Sequence, residues 1–514
     1  MIRPQLARLL WIALEGPGID AEADALLRAG AGGVVLFSRN ITGVEQLRQL
    51  TAKLRQRAAA PLRIAIDHEG GHVARIGAPL TRFPSAMAVA AAGSEELAEA
   101  CARAAARELA WLGIDVNLAP VLDVMADPRN ASVAVRAFGS DPDVVARFGA
   151  ATVRGFRAGG IAATAKHFPG HGRTEVDPHH ALPVVPGGVE ALRETDLPPF
   201  RAAIEAGVEL VMTTHAAYEG LTDGLPSTLS ARIVTELLRG ELGFDGLVLT
   251  DALVMRAVAD RHGPEASAAA VIAGADAAMP LVEQRAALQA LEAAFDDGRL
   301  SASRVADAIR RSDRLDVALR RSISDLERLP DATHAALAAD VARRSLTRHS
   351  SGALLPLERS TSVAVINFAG RRPSPIEEQL IGGTVTTIAS ALADAGLRVT
   401  EVALSGESGS RSGERESALR AAAAAEVVLC GTRDAYLWED DRRLVTELVA
   451  GDRPVILVAL RNPYDLEVLP AAAEAIATYA DVPASLRALA EALTGRAGFP
   501  GRLPANLALA KEAA

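Results

Sequence analysis

Short apolar runs alternate with longer amphipathic stretches along the first part of the chain, and this alternation constrains the fold more than any composition value. The runs are Leu9–Leu14, Gly33–Phe37, Leu62–Asp67, Ile114–Pro120, Ile161–His167, Glu209–Thr214, Gly246–Asp251 and Ala275–Met279. Helical patterns such as Ile41–Arg57, Glu95–Leu112, Asp141–Ala158 and Leu229–Leu242 lie between them. Strands that are apolar throughout and separated by helices belong to parallel sheets buried on both faces. Eight such units fit an α/β fold of the (β/α)8 TIM-barrel type, with a large doubly wound sheet as the competing architecture.

A helical stretch, Ser301–Ile323, is followed by punctuation at Leu329-Pro330-Asp331 and Ser350-Ser351-Gly352. A second alternation then has strands near Ser362–Phe368, Arg398–Leu404, Glu426–Cys430, Pro454–Leu460 and Ala475–Tyr479, with helices such as Thr386–Ala395 and Ala484–Leu493. It reads as a smaller αβα sandwich. The expected division is a barrel over residues 1–325, a linker over 326–349 and a sandwich over 350–514. A chain of 514 residues exceeds what one core supports, which agrees with two domains.

The net charge of −10, without a basic cluster, argues against a nucleic-acid partner. Cys101 and Cys430 sit in apolar settings far apart and are expected as buried free thiols. The N-terminal apolar run ends at Glu15, short for a secretory leader, and no segment approaches a membrane span. A cytoplasmic protein with no membrane partner is expected, unless a leader has been removed.

Polar residues cluster at the ends of the barrel strands: Asp67 and Glu69, Asp123, Lys166 and His167, His215, and Asp251. Barrel active sites sit at the carboxyl ends of strands, so the pattern points to an enzyme. Lys166 is one of only three lysines, with Lys53 and Lys511, in a chain whose other cations are arginines. A compact point charge suits a hydroxyl-rich ligand better than a planar fork does. Asp251 should project into the barrel mouth, although an Asp at a strand end also caps helices well. Asp177 and His179, one proline apart, can touch in an extended segment, and the carboxylate would fix the imidazole tautomer and raise its basicity. A solvated turn is the plainer reading of that pair. Gly170 and Gly172 suggest a mobile loop able to carry the pair over the barrel mouth. Zinc ligation by His167, His171, His179 and His180 is an alternative reading of the segment. Pro169 and Gly170 argue against a helix that would give the His167–His171 spacing meaning, so no metal and no other cofactor is expected.

Taken together, these segments resemble glycoside hydrolase family 3, and within it the β-N-acetylglucosaminidase branch in its two-domain form. The resemblance runs through Asp67-His68-Glu69-Gly70-Gly71, Arg136-Ala137-Phe138-Gly139, Lys166–Gly172, Asp177-Pro178-His179, Pro226–Ser230, Leu242–Gly246, Thr250-Asp251-Ala252-Leu253, Gly274-Ala275-Asp276 and, in the second domain, Arg461–Asp465. It implies that Asp251 is the nucleophile of a covalent glycosyl-enzyme and that His179 is the acid/base, oriented by Asp177. It further implies that Asp67, Arg75, Arg136, Lys166 and His167 hold a terminal N-acetylglucosamine. Retention of configuration follows from two displacements. Lys166 and Arg136 are expected to help keep Asp251 ionised.

The implied activity is exo-acting hydrolysis of small GlcNAc-containing glycosides, with peptidoglycan (muropeptide) fragments as the natural source. The alternatives are a β-N-acetylglucosaminide phosphorylase, a broader β-glycosidase and a non-catalytic sugar-binding protein. Three positions depart from the branch pattern: Pro178 for a serine, Arg173 for an acidic residue and His72 for an arginine. They bear on substrate range more than on reaction type.

Overall fold

The computed structural model describes residues 3–319, 329–350, 352–368, 376–377, 381, 386–405 and 411–513. Eight parallel strands follow one another in chain order around the first sheet: β1 (Trp11–Ala13), β2 (Gly33–Leu36), β3 (Arg63–Ile66), β4 (Val116–Asn117), β5 (Ala162–Phe168), β6 (Leu210–Thr213), β7 (Leu247–Ala252) and β8 (Ala277–Met279). A parallel bridge between Leu10 and Ala278 joins the chain entering β1 to β8 and closes the ring. The barrel reading therefore holds, and the doubly wound alternative does not.

The two faces of these strands enter different apolar clusters, as period-2 alternation requires. Trp11, Val35, Ala65, Val116, Leu118, Ala162, Leu210, Met212, Leu247, Leu249, Ala277 and Met279 fill the barrel interior. Ile12, Val34, Ile64, Ala163, Val211 and Val248 face the surrounding helices. Those helices have local stop and start signals. Glu95–Trp111 is capped by the Ser94 hydroxyl, which accepts from Leu97 N–H. Pro142–Gly159 begins on the Asp141 side chain and ends at Gly160, in the left-handed region at φ 97°.

The second sheet has six strands: β9 (Thr347–Ser350), β10 (Ser362–Asn367), β11 (Arg398–Ala403), β12 (Val427–Thr432), β13 (Val455–Ala459) and β14 (Glu474–Ala477), in spatial order β9-β14-β13-β12-β10-β11. Only β9 is antiparallel. β9 is not among the expected strands, because its Thr-Arg-His-Ser carries no apolar signal. Its edge position explains why: β9 borrows the ladder of β14 and buries only Thr347. Of the stretch expected as a linker, the described part from residue 329 holds a helix, Ala332–Ser345, capped by Asp331, before β9 begins. Residues 320–328, which include the end of the expected Ser301–Ile323 helix and the expected barrel boundary, lie outside the described residues. The helix is seen over Ala302–Leu319.

One apolar cluster crosses between the two sheets' territories. It joins Met87, Met125, Val133 and Val135 of the barrel loops to Phe368, Tyr436, Tyr464, Tyr479 and Leu507. Hydrogen bonds reinforce it: Ser85 Oγ donates to Tyr479 O at 2.8 Å, and Arg461 donates to Ala131 O at 2.6 Å. Both cysteines are buried and free, and burial pushes each thiol up to about 12. Among the described residues no helix is long and apolar enough to cross a membrane.

Candidate active site

The carboxyl ends of the barrel strands surround a pocket of about 240 Å³. Seven of the eight expected site residues line it: Asp67, Arg75, Arg136, Lys166, His167, His179 and Asp251. The eighth, Asp177, stands behind His179.

Lys166 comes from β5, where the register against β6 shifts between Lys166 and Phe168. In a regular strand consecutive side chains point to opposite faces. The bulge lets Lys166 and His167 reach the same pocket. Lys166 Nζ donates to Asp67 Oδ1 at 2.8 Å and lies 2.6 Å from Glu69 Oε1. Arg136 takes both oxygens of Glu69, at 2.8 Å each. Arg75 Nη2 lies 3.3 Å from Asp67 Oδ2, and its Nη1 donates to the Ile376 carbonyl of the second domain at 2.8 Å. Burial alone would push the Asp67 and Glu69 carboxyls up. Lys166 and Arg75 around Asp67, and Arg136 and Lys166 around Glu69, outweigh it and hold both below the usual range. The result is a buried lattice of paired charges, of which Asp67, Arg75, Arg136 and Lys166 line the pocket.

A second relay supports His167. Its Nδ1 lies 2.6 Å from Asp123 Oδ2, while Asp123 Oδ1 accepts the His171 backbone N–H at 2.9 Å. The His171 ring stacks on His167 with centroids 4.8 Å apart, and its Nδ1 lies 2.8 Å from Thr214 Oγ1. Burial lowers His171 to about 4, so it stays neutral near pH 7. The histidine–metal alternative changes membership: Asp123, His167 and His171 are the group whose ligand atoms lie within 4.8 Å of one another, and His179 and His180 are not part of it. The Nδ1 atoms of both rings are already hydrogen-bonded, to Asp123 and Thr214.

Asp251, the last but one residue of β7, is partly exposed to the pocket, with Oδ1 accepting its neighbour's N–H (Ala252) at 2.7 Å. Burial would raise its carboxyl. His167, His215, the Ala252 N–H and His179 together hold it below the usual value. Lys166 and Arg136, expected in that role, are instead engaged by Asp67 and Glu69. His215 was noted only as a strand-end residue; its Nδ1 lies 2.8 Å from Thr228 Oγ1 and its Nε2 3.0 Å from Ala252 O, beside Asp251.

Asp177 and His179 do touch, though through a turn and not through the extended segment expected. Asp177 Oδ1 accepts the His179 backbone N–H at 2.9 Å and sits 2.6 Å from His179 Nδ1. Burial alone would lower His179, but the Asp177 hydrogen bond and charge raise it above its ordinary value, while Asp177 falls to about 2. The glycines of this segment also serve another purpose than the mobility read from sequence. A Cβ on Gly170 would stand 2.8 Å from Asp196 Cβ, and one on Gly172 would stand 1.8 Å from Val124 O. Both positions are close packing contacts that exclude a side chain.

Pro178 lines the pocket, and its carbonyl accepts the Ala257 N–H at 3.2 Å, tying this segment to the helix after β7. His72 lies away from the pocket, with Nε2 3.3 Å from Asp481 of the second domain, so it belongs to the interface. Asp123 and Glu69 stand in the sequence as strand-end carboxylates; an arginine is the plain partner for Glu69 there, but the sequence does not name Arg136, nor His167 as the partner of Asp123. Ile376 left no sequence signal.

The chain matches the model of the glycosyl hydrolase family 3 N-terminal domain over residues 2–315. It is 33% identical over 394 residues to "Beta-hexosaminidase A" of Pseudoalteromonas piscicida, covering 70% of this chain and 66% of that one. It is 40% identical over 279 residues to a "Beta-hexosaminidase" of Alkalilimnicola ehrlichii, covering 52% of this chain and 78% of the relative. A solved glycoside hydrolase family 3 β-N-acetylglucosaminidase from Paenibacillus sp. FPU-7 superposes with a TM-score of 0.93 at 34% identity, covering 99% of both chains. The chain belongs to glycoside hydrolase family 3 and is a glycoside hydrolase.

Proposed function

We propose that the protein is an exo-acting, retaining β-N-acetylglucosaminidase that removes terminal non-reducing N-acetylglucosamine, with Asp251 as nucleophile and His179 as acid/base. The observation that carries this reading is the shared pocket: an ionised carboxylate on β7 and a carboxylate-backed imidazole on the segment after β5 both open onto it. Cytoplasmic peptidoglycan fragments are the proposed substrates. The names of the relatives support the sugar, and the wall fragment follows from the branch that the sequence resembles.

In the first step Asp251 attacks the anomeric carbon as His179 Nε2 protonates the departing oxygen. Asp177 keeps Nδ1 occupied, so Nε2 is the nitrogen that presents the proton. In the second step His179 takes a proton from water, which displaces Asp251. Two displacements restore the β configuration. Asp67, Lys166, Arg136 and His167 offer acceptors and donors to the sugar hydroxyls, and Arg75 completes that wall.

The test compares aryl β-N-acetylglucosaminide with aryl β-glucoside, with and without phosphate, for wild type and Asp251→Ala. Hydrolysis of the former to the β-anomer, abolished in the variant, is the expected result. Unchanged turnover by the variant would remove the nucleophile assignment, and release of the sugar 1-phosphate would replace hydrolysis by phosphorolysis.

A further inference from the structure

We infer that Arg173 is a positioning residue that clasps both ends of the acid/base segment onto a buried carboxylate and so sets where His179 stands; the inference rests on the His179 assignment above. Arg173 Nε and Nη2 donate to Asp196 Oδ2 at 2.9 and 2.7 Å, and Nη1 donates to the Pro186 carbonyl. Positions 173 and 186 bracket Asp177 and His179. One guanidinium therefore joins the two ends of the segment that holds the dyad, and anchors both to the helical turn Leu192–Asp196.

The root of the segment is fixed independently. Asp196 Cβ packs where a side chain on Gly170 would be, the Tyr218 hydroxyl donates to the Gly170 carbonyl, and the Gly172 carbonyl accepts Asp127 N–H at 3.0 Å. With 170–172 pinned and 186 tied back by Arg173, the dyad rides on a closed span.

A plain stabilising ion pair is the competing reading. Asp196 has a side-chain exposure of 0% and Arg173 of 13%, and buried pairs contribute little net stability because desolvation offsets the attraction. Asp196 Oδ1 has no hydrogen-bond partner among the described residues. Burial pushes the Asp196 carboxyl up to about 7 even against the pull of Arg173. A carboxylate retained in so costly a place is poorly explained by stability. Its geometric effect, holding one forked donor in register with Pro186, explains it better.

The experiment uses the full chain with Arg173→Gln, Arg173→Lys and Asp196→Asn, and two β-N-acetylglucosaminides. One carries a 2,4-dinitrophenyl leaving group, which departs with little protonation, and the other a methyl group, which needs full protonation. A displaced His179 should cost kcat/KM, which reports the glycosylation step alone, about ten- to a hundredfold on the methyl glycoside and less than about threefold on the activated one, since general acid help in that step matters only for the former. Arg173→Lys should recover part of that loss, and Asp196→Asn should resemble Arg173→Gln. Equal losses on both substrates, or none, would overturn the inference, as would a lysine variant no better than glutamine. If Arg173→Gln fails to fold, Arg173→Lys and Asp196→Asn give the same leaving-group comparison. His179→Ala serves as the control: without leaving-group dependence there, the acid/base assignment fails, separately from the clasp.

Discussion

One carboxylate oxygen of Asp177 accepts two hydrogens from the same residue, the backbone N–H of His179 at 2.9 Å and the ring at Nδ1, 2.6 Å away. The backbone contact fixes the oxygen that the ring meets, so the imidazole is held in orientation as well as raised in basicity. This turn is short enough to be encoded locally, which is why Asp-Pro-His could be read from sequence, even though its extended geometry was expected and a turn is found.

The pair has a defined pH window. His179 is raised from 6.5, so its contribution to stability is complete below that value and is lost as pH rises through its folded pKa. Asp177 is lowered from 3.8 to about 2, so its contribution is present above 3.8 and is lost as pH falls through about 2. Asp177→Asn should lower the His179 pKa, moving the basic limb of the kcat/KM profile to lower pH. It should also cut kcat by roughly 10²- to 10⁴-fold, as loss of an orienting carboxylate does. A pH–rate profile of the variant with an unmoved basic limb would contradict this.

On the proposed assignment, Asp251→Ala removes the attacking group and leaves in place the charge lattice around Lys166, which does not contact Asp251. A loss of about 10⁴-fold or more is expected, with substrate affinity retained. Azide is small enough to enter the vacated position, and attack from that face would give an α-glycosyl azide from a β-substrate. Product anomericity by NMR checks the assignment: recovery of β-azide or no rescue would count against Asp251 as nucleophile.

Lys166 sits between Asp67 and Glu69 with a side-chain exposure of 2%. Lys166→Met should leave two buried carboxylates facing each other, costing about 3–5 kcal/mol in urea unfolding and raising KM. Lys166→Arg should not restore KM, because a planar fork cannot point one charge at both acids. Adding Asp67→Asn to Lys166→Met should recover part of the stability while leaving KM high, since the repulsion is relieved and the sugar contacts are not.

The barrel, and the pocket-lining residues contributed by it, were legible because each depends on short-range patterns. Apolar runs ending in Asp, Lys or His mark the carboxyl ends of strands whatever the loops do. What was not legible depends on contacts between distant segments. Glu69 acquires its partner from position 136, Asp123 from position 167, and Arg75 from the second domain at Ile376. Strand β9 was hidden because an edge strand needs only a neighbour's ladder. The interface place of His72 was hidden for the same reason: nothing near it in the sequence points to Asp481 of the second domain.

The two domains are expected to unfold together. Long multidomain chains usually show separate transitions, but here one apolar cluster contains residues of both, and the buried Arg461, with 1% side-chain exposure, ties the second domain to the barrel loop at Ala131. Arg461 pairs with Asp434 and Glu377 and donates to Ala131 O of the barrel. Arg461→Met would strand Asp434, whose side chain is fully buried, and should cost about 3–5 kcal/mol. Because the stranded charge sits at the shared cluster, calorimetry should show the whole transition moving down as one peak. Two resolved peaks, with only the lower one moved, would mean that the domains are energetically independent and that the shared cluster does not couple them.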